Sequence, residues 1–233
     1  MVNPSSNNQQ RPTRITASSL AFLPECTSCQ WYSHNCTKPP RGIPMPKIFT
    51  AIDGINKHYY DGLECKDISP SLPPGKLGHG NLFLESEEIP IPGHSPVVFT
   101  GKIDTLATFD NNAGFGILDF KTSNPRVEHI PEYQWQLGAY ALMAEHPAPK
   151  RPHLFPVTHL GLVCLTPYEM LRGKTGKLGY LVRPEFIPLV RDDQALLDFV
   201  ATKVLDVIEL PSQPPPSPDC QWCQYRDCVL NGC

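Results

Sequence analysis

Gly101-Lys102-Ile103-Asp104 and Ile117-Leu118-Asp119-Phe120-Lys121-Thr122 are the stretches on which the fold turns. Residues 97–109 and 115–121 read as strands joined by a turn through Asp110, Asn111, Asn112 and Gly114,. In a strand, residues two apart share a face. Asp119 and Lys121 then project to one side while Leu118 and Phe120 pack on the other. Asp104, on the preceding strand, can meet Asp119 across the ladder. Two carboxylates so placed repel each other unless a cation lies between them, and hard oxygen ligands favour Mg²⁺ or Mn²⁺. A lysine two residues on can orient or activate a water and offset charge developing on a phosphate. These are parts for metal-assisted phosphodiester hydrolysis.

Alone, Asp-x-Lys at a strand end is common and means little. Context moves the balance. The strand is otherwise strongly apolar, so charges within it are costly unless used or paired. The next element, a helix expected over 131–145 with the stripe Tyr133, Leu137, Tyr140, Ala141 and Ala144, places Gln136 and Tyr140 four apart on its surface,. Gln136 can bond a phosphate, a water or the lysine; Tyr140 can pack beneath them.

Working outward, 16–32 predicts one or two short helical turns carrying Cys26 and Cys29,. Residues 48–60 predict a helix with Ile48, Ile52, Ile55 and Tyr59 on one stripe. A weak strand is expected at 81–91, further strands at 157–165 and 177–183, and an amphipathic helix at 192–210. The order is that of an α/β layer arrangement with a mixed sheet. Residues 1–13 read as a disordered arm, 14–210 as the main domain, and 211–233 as a proline linker and cysteine-rich tail. The 27 prolines cluster in the connections, where a missing backbone donor does least harm,.

A net charge of −3 excludes a bulk polyanion binder, so nucleic acid would have to be met by a local patch,. Lys38, Arg41, Lys47, Lys57, Arg126, Arg172, Lys174 and Lys177 are the candidates, with the glycine-flanked 172–177 loop foremost,. No apolar run approaches a membrane span, and the polar start lacks a secretory stretch, so a cytoplasmic setting is expected. Nine cysteines in a reducing compartment point to metal rather than disulfides,. Cys26-x-x-Cys29 lies near one end, and Cys220-x-x-Cys223 with Cys228 near the other. Neither end is complete alone. Pairing them gives four soft ligands, suited to tetrahedral Zn²⁺ or a [4Fe–4S] cluster, that tie the chain ends together. Cys36 and Cys233 read as spectators, Cys65 as a loop residue and Cys164 as a small core residue.

The set Gly101-x-x-Asp104, Asp119-x-Lys121 and Gln136-x-x-x-Tyr140 resembles the RecB-type branch of the PD-(D/E)XK nuclease superfamily. The resemblance implies a restriction-endonuclease-like αβββαβ core with flanking helices, divalent-metal catalysis and DNA as substrate, single-stranded or with free ends. It implies Asp104, Asp119 and the Phe120 carbonyl as metal ligands, Lys121 as the catalytic lysine, and Gln136 with Tyr140 in support. A further ligand from an early helix would be His58, with Asp53 second. The chain also resembles the iron–sulfur members, the CRISPR-associated exonucleases and AddB-type helicase–nucleases, which take one cysteine before the core and three after it. That implies Cys26, Cys220, Cys223 and Cys228, while the pairing of Cys26, Cys29, Cys220 and Cys223 competes with it. The expected function is a DNA nuclease of repair, recombination or defence, with protein partners in such a complex. A catalytically silent nucleic-acid-binding module and a zinc-stabilised interaction protein are the alternatives.

Overall fold

A computed structural model describes residues 11–36, 46–78, 80–122 and 127–231. The chain opens with β1 (Thr13–Thr16), α1 (Ala17–Leu20), α2 (Thr27–Asn35) and α3 (Lys47–Tyr60). Then come β2 (Gly75–Gly78), β3 (Phe83–Glu85), β4 (Val97–Lys102), β5 (Thr105–Phe109) and β6 (Phe115–Lys121). After these follow α4 (Ile130–Glu145), β7 (Val157–Arg172) and β8 (Leu178–Leu189). A long helical segment ends the core: α5 (Asp193–Phe199), a π-helical turn (Val200–Leu205) and α6 (Asp206–Ile208). The tail carries α7 (Gln221–Asn231). None of the described helices is long and apolar enough to cross a membrane.

The strands form two ladders, β1-β4-β3 and β2-β5-β6-β7-β8. Both are mixed: β1 runs parallel to β4, and β6 parallel to β7, with the remaining pairs antiparallel. Two parallel neighbours need a crossover, and α4 supplies it between β6 and β7. The single strand expected over 97–109 is instead two. The chain leaves the ladder at Ile103 and Asp104, so β4 and β5 belong to different sheets. The expected turn after β5 does form: Asn111 and Asn112 take positive φ, which Asn tolerates,. Gly114 follows at φ +100°, where a Cβ would strike the Pro156 carbonyl,.

The five-stranded sheet is buried on both faces along β5, β6 and the first half of β7, while the outer part of the β7–β8 hairpin is exposed. Ile117 and Leu162 pack on one side with Leu137, Met143 and Leu196. Leu118, Phe120 and Val163 pack on the other with Tyr60, Ile68 and Leu72. This explains why α4 has no amphipathic stripe: every residue from Gln136 to Ala144 is buried. The α3 stripe departs from expectation. Ile48, Ile55 and Tyr59 are exposed. Ile55 and Tyr59, with Phe49 and Ile52, face a groove of about 1020 Å³ whose far wall is Tyr180 and Val182 of β8. The expected arm at 1–13 lies mostly outside the described residues, but Thr13 opens β1 and pairs with Val97. Lys38, Arg41, Arg126 and Cys233 also lie outside them.

Candidate active site and cysteine site

Asp119 sits in the middle of the α/β sandwich, on β6 and beneath α4, and only 6% of its surface is exposed. Strand alternation places it opposite Leu118 and Phe120 and turns it toward Gln136, whose Nε2 donates to Asp119 Oδ1 at 3.3 Å. Lys121 Nζ lies 2.5 Å from Asp119 Oδ2 and 4.3 Å above the Tyr133 ring. The kink between β4 and β5 brings in Asp104, whose Oδ2 accepts from the Phe120 N–H at 3.1 Å. Thr105 pairs with Leu118, so Asp104 comes beside Asp119 just beyond the end of that ladder. Tyr140, buried under Gln136, has its hydroxyl 3.5 Å from Gln136 Nε2.

The electrostatics identify what this pocket lacks. Burial pushes the Asp119 carboxyl up to about 6; the Lys121 ammonium opposes the rise and the Asp104 charge adds to it,. Burial likewise pushes the Tyr140 hydroxyl up to about 12. Asp119 Oδ2 and Gln136 Oε1 are buried acceptors with no hydrogen-bond partner among the described residues. The Lys121 ammonium faces Asp119 Oδ2 closely as an ion pair, yet outside hydrogen-bond geometry. These two oxygens, one of them on Asp119 itself, together with the Asp104 carboxylate are a donor set that a small hard cation satisfies,.

Of the residues singled out in the sequence, Asp104, Asp119, Lys121, Gln136 and Tyr140 come together. His58 does not. It is exposed on α3, and among the described residues no hydrogen bond or ion pair joins it to Asp104 or Asp119. Phe120 contributes its backbone N–H to Asp104, and its ring stacks on Tyr60 with centroids 5.2 Å apart. The residue that α3 does deliver is Lys57, whose Nζ is 2.8 Å from Asp104 Oδ1 and 2.9 Å from Asp53 Oδ2. Burial alone would depress the Lys57 ammonium, but the bonds to Asp104 and Asp53 outweigh it and hold its pKa above the usual value. Asp53 and Lys57 stand four apart on a helix, the spacing of an ion pair, and that was the available signal. The 172–177 loop forms the tip of the β7–β8 hairpin, where Gly176 takes φ +77° and Arg172, Lys174 and Lys177 are exposed.

The two CxxC pairs, from either end of the sequence, come together. Cys26, Cys29, Cys220 and Cys223 bring their sulfurs within 4.8 Å of one another. Cys29 lies 3.4 Å from Cys223 and 3.5 Å from Cys220, and Cys26 lies 3.8 Å from Cys223. Cys228, on the exposed face of α7, is outside this group and disulfide-bonded. Burial would raise the Cys26 thiol, but hydrogen bonding led by the Ser217 N–H draws it down to about 6. Burial and the neighbouring sulfurs push Cys29 well above the usual thiol range. One thiolate among crowded sulfurs is a set ready to hold a soft or borderline ion. Cys65 closes a buried turn and Cys164 fills the core of β7.

A family model for the PD-(D/E)XK nuclease superfamily matches residues 69–228, and the chain belongs to that superfamily. The match takes in Asp104, Asp119, Lys121, Gln136, Tyr140, Cys220 and Cys223; Lys57, Cys26 and Cys29 lie before it. No curated protein matches the chain.

Proposed function

Starting from membership of the PD-(D/E)XK superfamily, we propose that this protein is a deoxyribonuclease dependent on Mg²⁺ or Mn²⁺, with Asp104, Asp119 and Lys121 at its centre. The observation that carries the reading is the buried Asp119, with its own Oδ2 and the Gln136 Oε1 left without hydrogen-bond partners beside Asp104. Asp104, Asp119 and the Phe120 carbonyl would hold the ion. Bound there, it supplies Lewis-acid stabilisation of charge on a scissile phosphate. Lys121 keeps an ammonium at the open edge of the pair, where it offsets phosphate charge and orients an attacking water. Gln136 fixes the rotamer of Asp119 through Oδ1, and Tyr140 supports Gln136 from below. The substrate is DNA, single-stranded or with free ends, and the exposed basic tip of the β7–β8 hairpin would follow its backbone,. The four cysteines hold a structural [4Fe–4S] cluster, with Zn²⁺ the alternative, and the setting is repair, recombination or defence in company with other proteins. By this reading residues 14–210 are the nuclease domain and 211–233 a linker and tail that closes on the N-terminal cysteines.

Lys121→Ala tests the reading. Cleavage of end-labelled DNA with Mn²⁺ should fall at least about a hundredfold, the cost of removing a preorganised charge from such a site. Circular dichroism and melting temperature should stay as in the parent protein. A variant that cuts equally well sinks the mechanism. One observation favours a second reading, a silent nucleic-acid-binding module: a lysine, not a third ligand, reaches Asp104 from α3. DNA binding without cleavage under any divalent ion would select it. Metal analysis and visible absorbance of anaerobically purified protein distinguish iron–sulfur from zinc.

A further inference from the structure

Lys57 occupies a closed position rather than a surface one. Its side chain is 14% exposed, and its three ammonium donors meet three oxygens: Asp104 Oδ1 at 2.8 Å, Asp53 Oδ2 at 2.9 Å and Asn81 Oδ1 at 3.3 Å,. Asn81 reaches it from a turn at φ +65°. The turn closes over the lysine stem: a Cβ on Gly80 would stand 3.0 Å from the Asp104 carbonyl and 3.8 Å from Lys57 Cβ. Leaving this position would strip the ammonium of two charge-assisted bonds and leave Asp53 and Asp104 facing each other.

The demands of the two carboxylates therefore differ by side. Toward α3, Asp104 Oδ1 already has a cation at bonding distance. Toward α4, Asp119 Oδ2 faces the Lys121 ammonium at 2.5 Å outside hydrogen-bond geometry, and Gln136 Oε1 lacks a hydrogen-bond partner among the described residues. A divalent ion placed on the α3 side would sit against an ammonium on the same carboxylate oxygen, and at such distances like charges exclude one another. On the Asp119 side the neighbouring ammonium, Lys121 Nζ at 2.5 Å from Oδ2, is the one that can yield, because it lies against the Tyr133 ring, whereas Lys57 is tied to Asp53 and Asn81 as well as to Asp104.

We propose that Lys57 is a fixed cation of this centre, closing the α3 side of Asp104 so that the site takes a single divalent ion on the Asp119 side. The inference rests on reading Asp104 and Asp119 as metal ligands. Lys57 is thus a positioning residue: it holds the Asp104 rotamer and substitutes for a second metal charge. The ion between Asp104 and Asp119 is then the only one whose removal stops turnover.

The test is a Mn²⁺ titration of the full chain without DNA, read by calorimetry and by the Mn²⁺ resonance. Mn²⁺ is a hard ion that leaves the cysteine site aside. The parent protein should bind one equivalent, lost in Asp119→Asn. Lys57→Gln should admit a second equivalent or bind the first about tenfold more tightly, since a neighbouring positive charge is gone. Lys57→Arg should remain at one. Two equivalents in the parent protein, both lost in Asp104→Asn, would overturn the proposal, and that measurement needs no Lys57 variant to fold. A Lys57→Gln titration identical to the parent's would overturn it too. Mn²⁺ binding that survives both Asp104→Asn and Asp119→Asn removes the metal-site reading itself, and the inference with it.

Discussion

A Cβ added at Gly101 would lie 2.7 Å from Tyr140 Cε1 and 3.5 Å from the Ala17 methyl, in a place with no room to give. Tyr140 is buried and supports Gln136, which in turn holds Asp119. Gly101→Ala should therefore cost about 1–3 kcal/mol by overpacking and also displace the support of the acidic pair. The expected result is a lower denaturation midpoint together with a loss of kcat at unchanged DNA affinity. A variant that melts early but turns over normally would show that Tyr140 only packs. Asp119 and Lys121 were legible from the sequence because a strand's period of two needs no tertiary information. Lys57 was not. A lysine four residues after an aspartate reads as a solvated pair, and only the packing of α3 and the Asn81 turn bring Asp104 to it. His58, its neighbour in sequence, stays exposed while Lys57 takes the inward position.

Elements were legible where periodicity is local, and misjudged where burial depends on neighbours. β6 and α4 fall within a residue or so of expectation, yet the strand over 97–109 breaks at Asp104, because nothing in an apolar run announces a change of sheet. β1 and β2 escaped notice as four-residue strands with one large apolar residue each, Ile15 and Leu77, too few to show a period in the sequence. Glu85 shows how the smaller sheet is held. It accepts from Arg14 of β1 at 2.7 Å and from Arg151, ahead of β7, at 2.7 and 3.1 Å. The hydrogen bonds to Arg14 and Arg151 hold its carboxyl below the usual range. A depressed carboxylate stabilises the fold above the unfolded pKa, and the contribution is lost as pH falls through the lower folded value. Glu85→Gln should thus lower stability at neutral pH by about 0.5–1 kcal/mol, small because Arg14 is largely exposed and screened,. Variant and parent should begin to converge below about pH 4, the unfolded value, and meet only below the depressed folded one. Parallel urea midpoints across that range that never converge would rule the clamp out.

At the scale of the whole molecule, the two ends of the chain are joined twice over. Cys26 and Cys223 are 197 residues apart in sequence. Beside them, Gln30 Nε2 donates to the Lys203 carbonyl, Trp31 Nε1 to the Leu210 carbonyl, Asn35 Nδ2 to the Ile208 carbonyl and Gln213 Nε2 to Ser28 Oγ. The paired CxxC motifs were legible because a two-residue gap offers two ligands to one ion; the hydrogen bonds were not, since each crosses most of the chain. An ion bound by these cysteines would close so long a loop and restrict the unfolded chain by up to about 5 kcal/mol, but the polar seam of α2 does not depend on it. The core meanwhile is buried independently around Leu137, Leu162 and Leu118. If the cysteines hold an ion as proposed, its loss, by chelation or by Cys26→Ser with Cys223→Ser, should therefore act in two layers. The melting temperature should drop by several degrees, since about 1 kcal/mol moves a domain of this size by 2–4 °C. Amide exchange should rise first in α2 and α7, while β6 and α4 keep their protection. Equal loss of protection in β6 would mean that the cysteine site holds the nuclease core itself, and an unchanged melting temperature would mean that it holds nothing. Between those limits the two sites are separable: the ends can open without dismantling Asp104, Asp119 and Lys121, and DNA cleavage at low temperature should outlast the loss of the cysteine-bound ion.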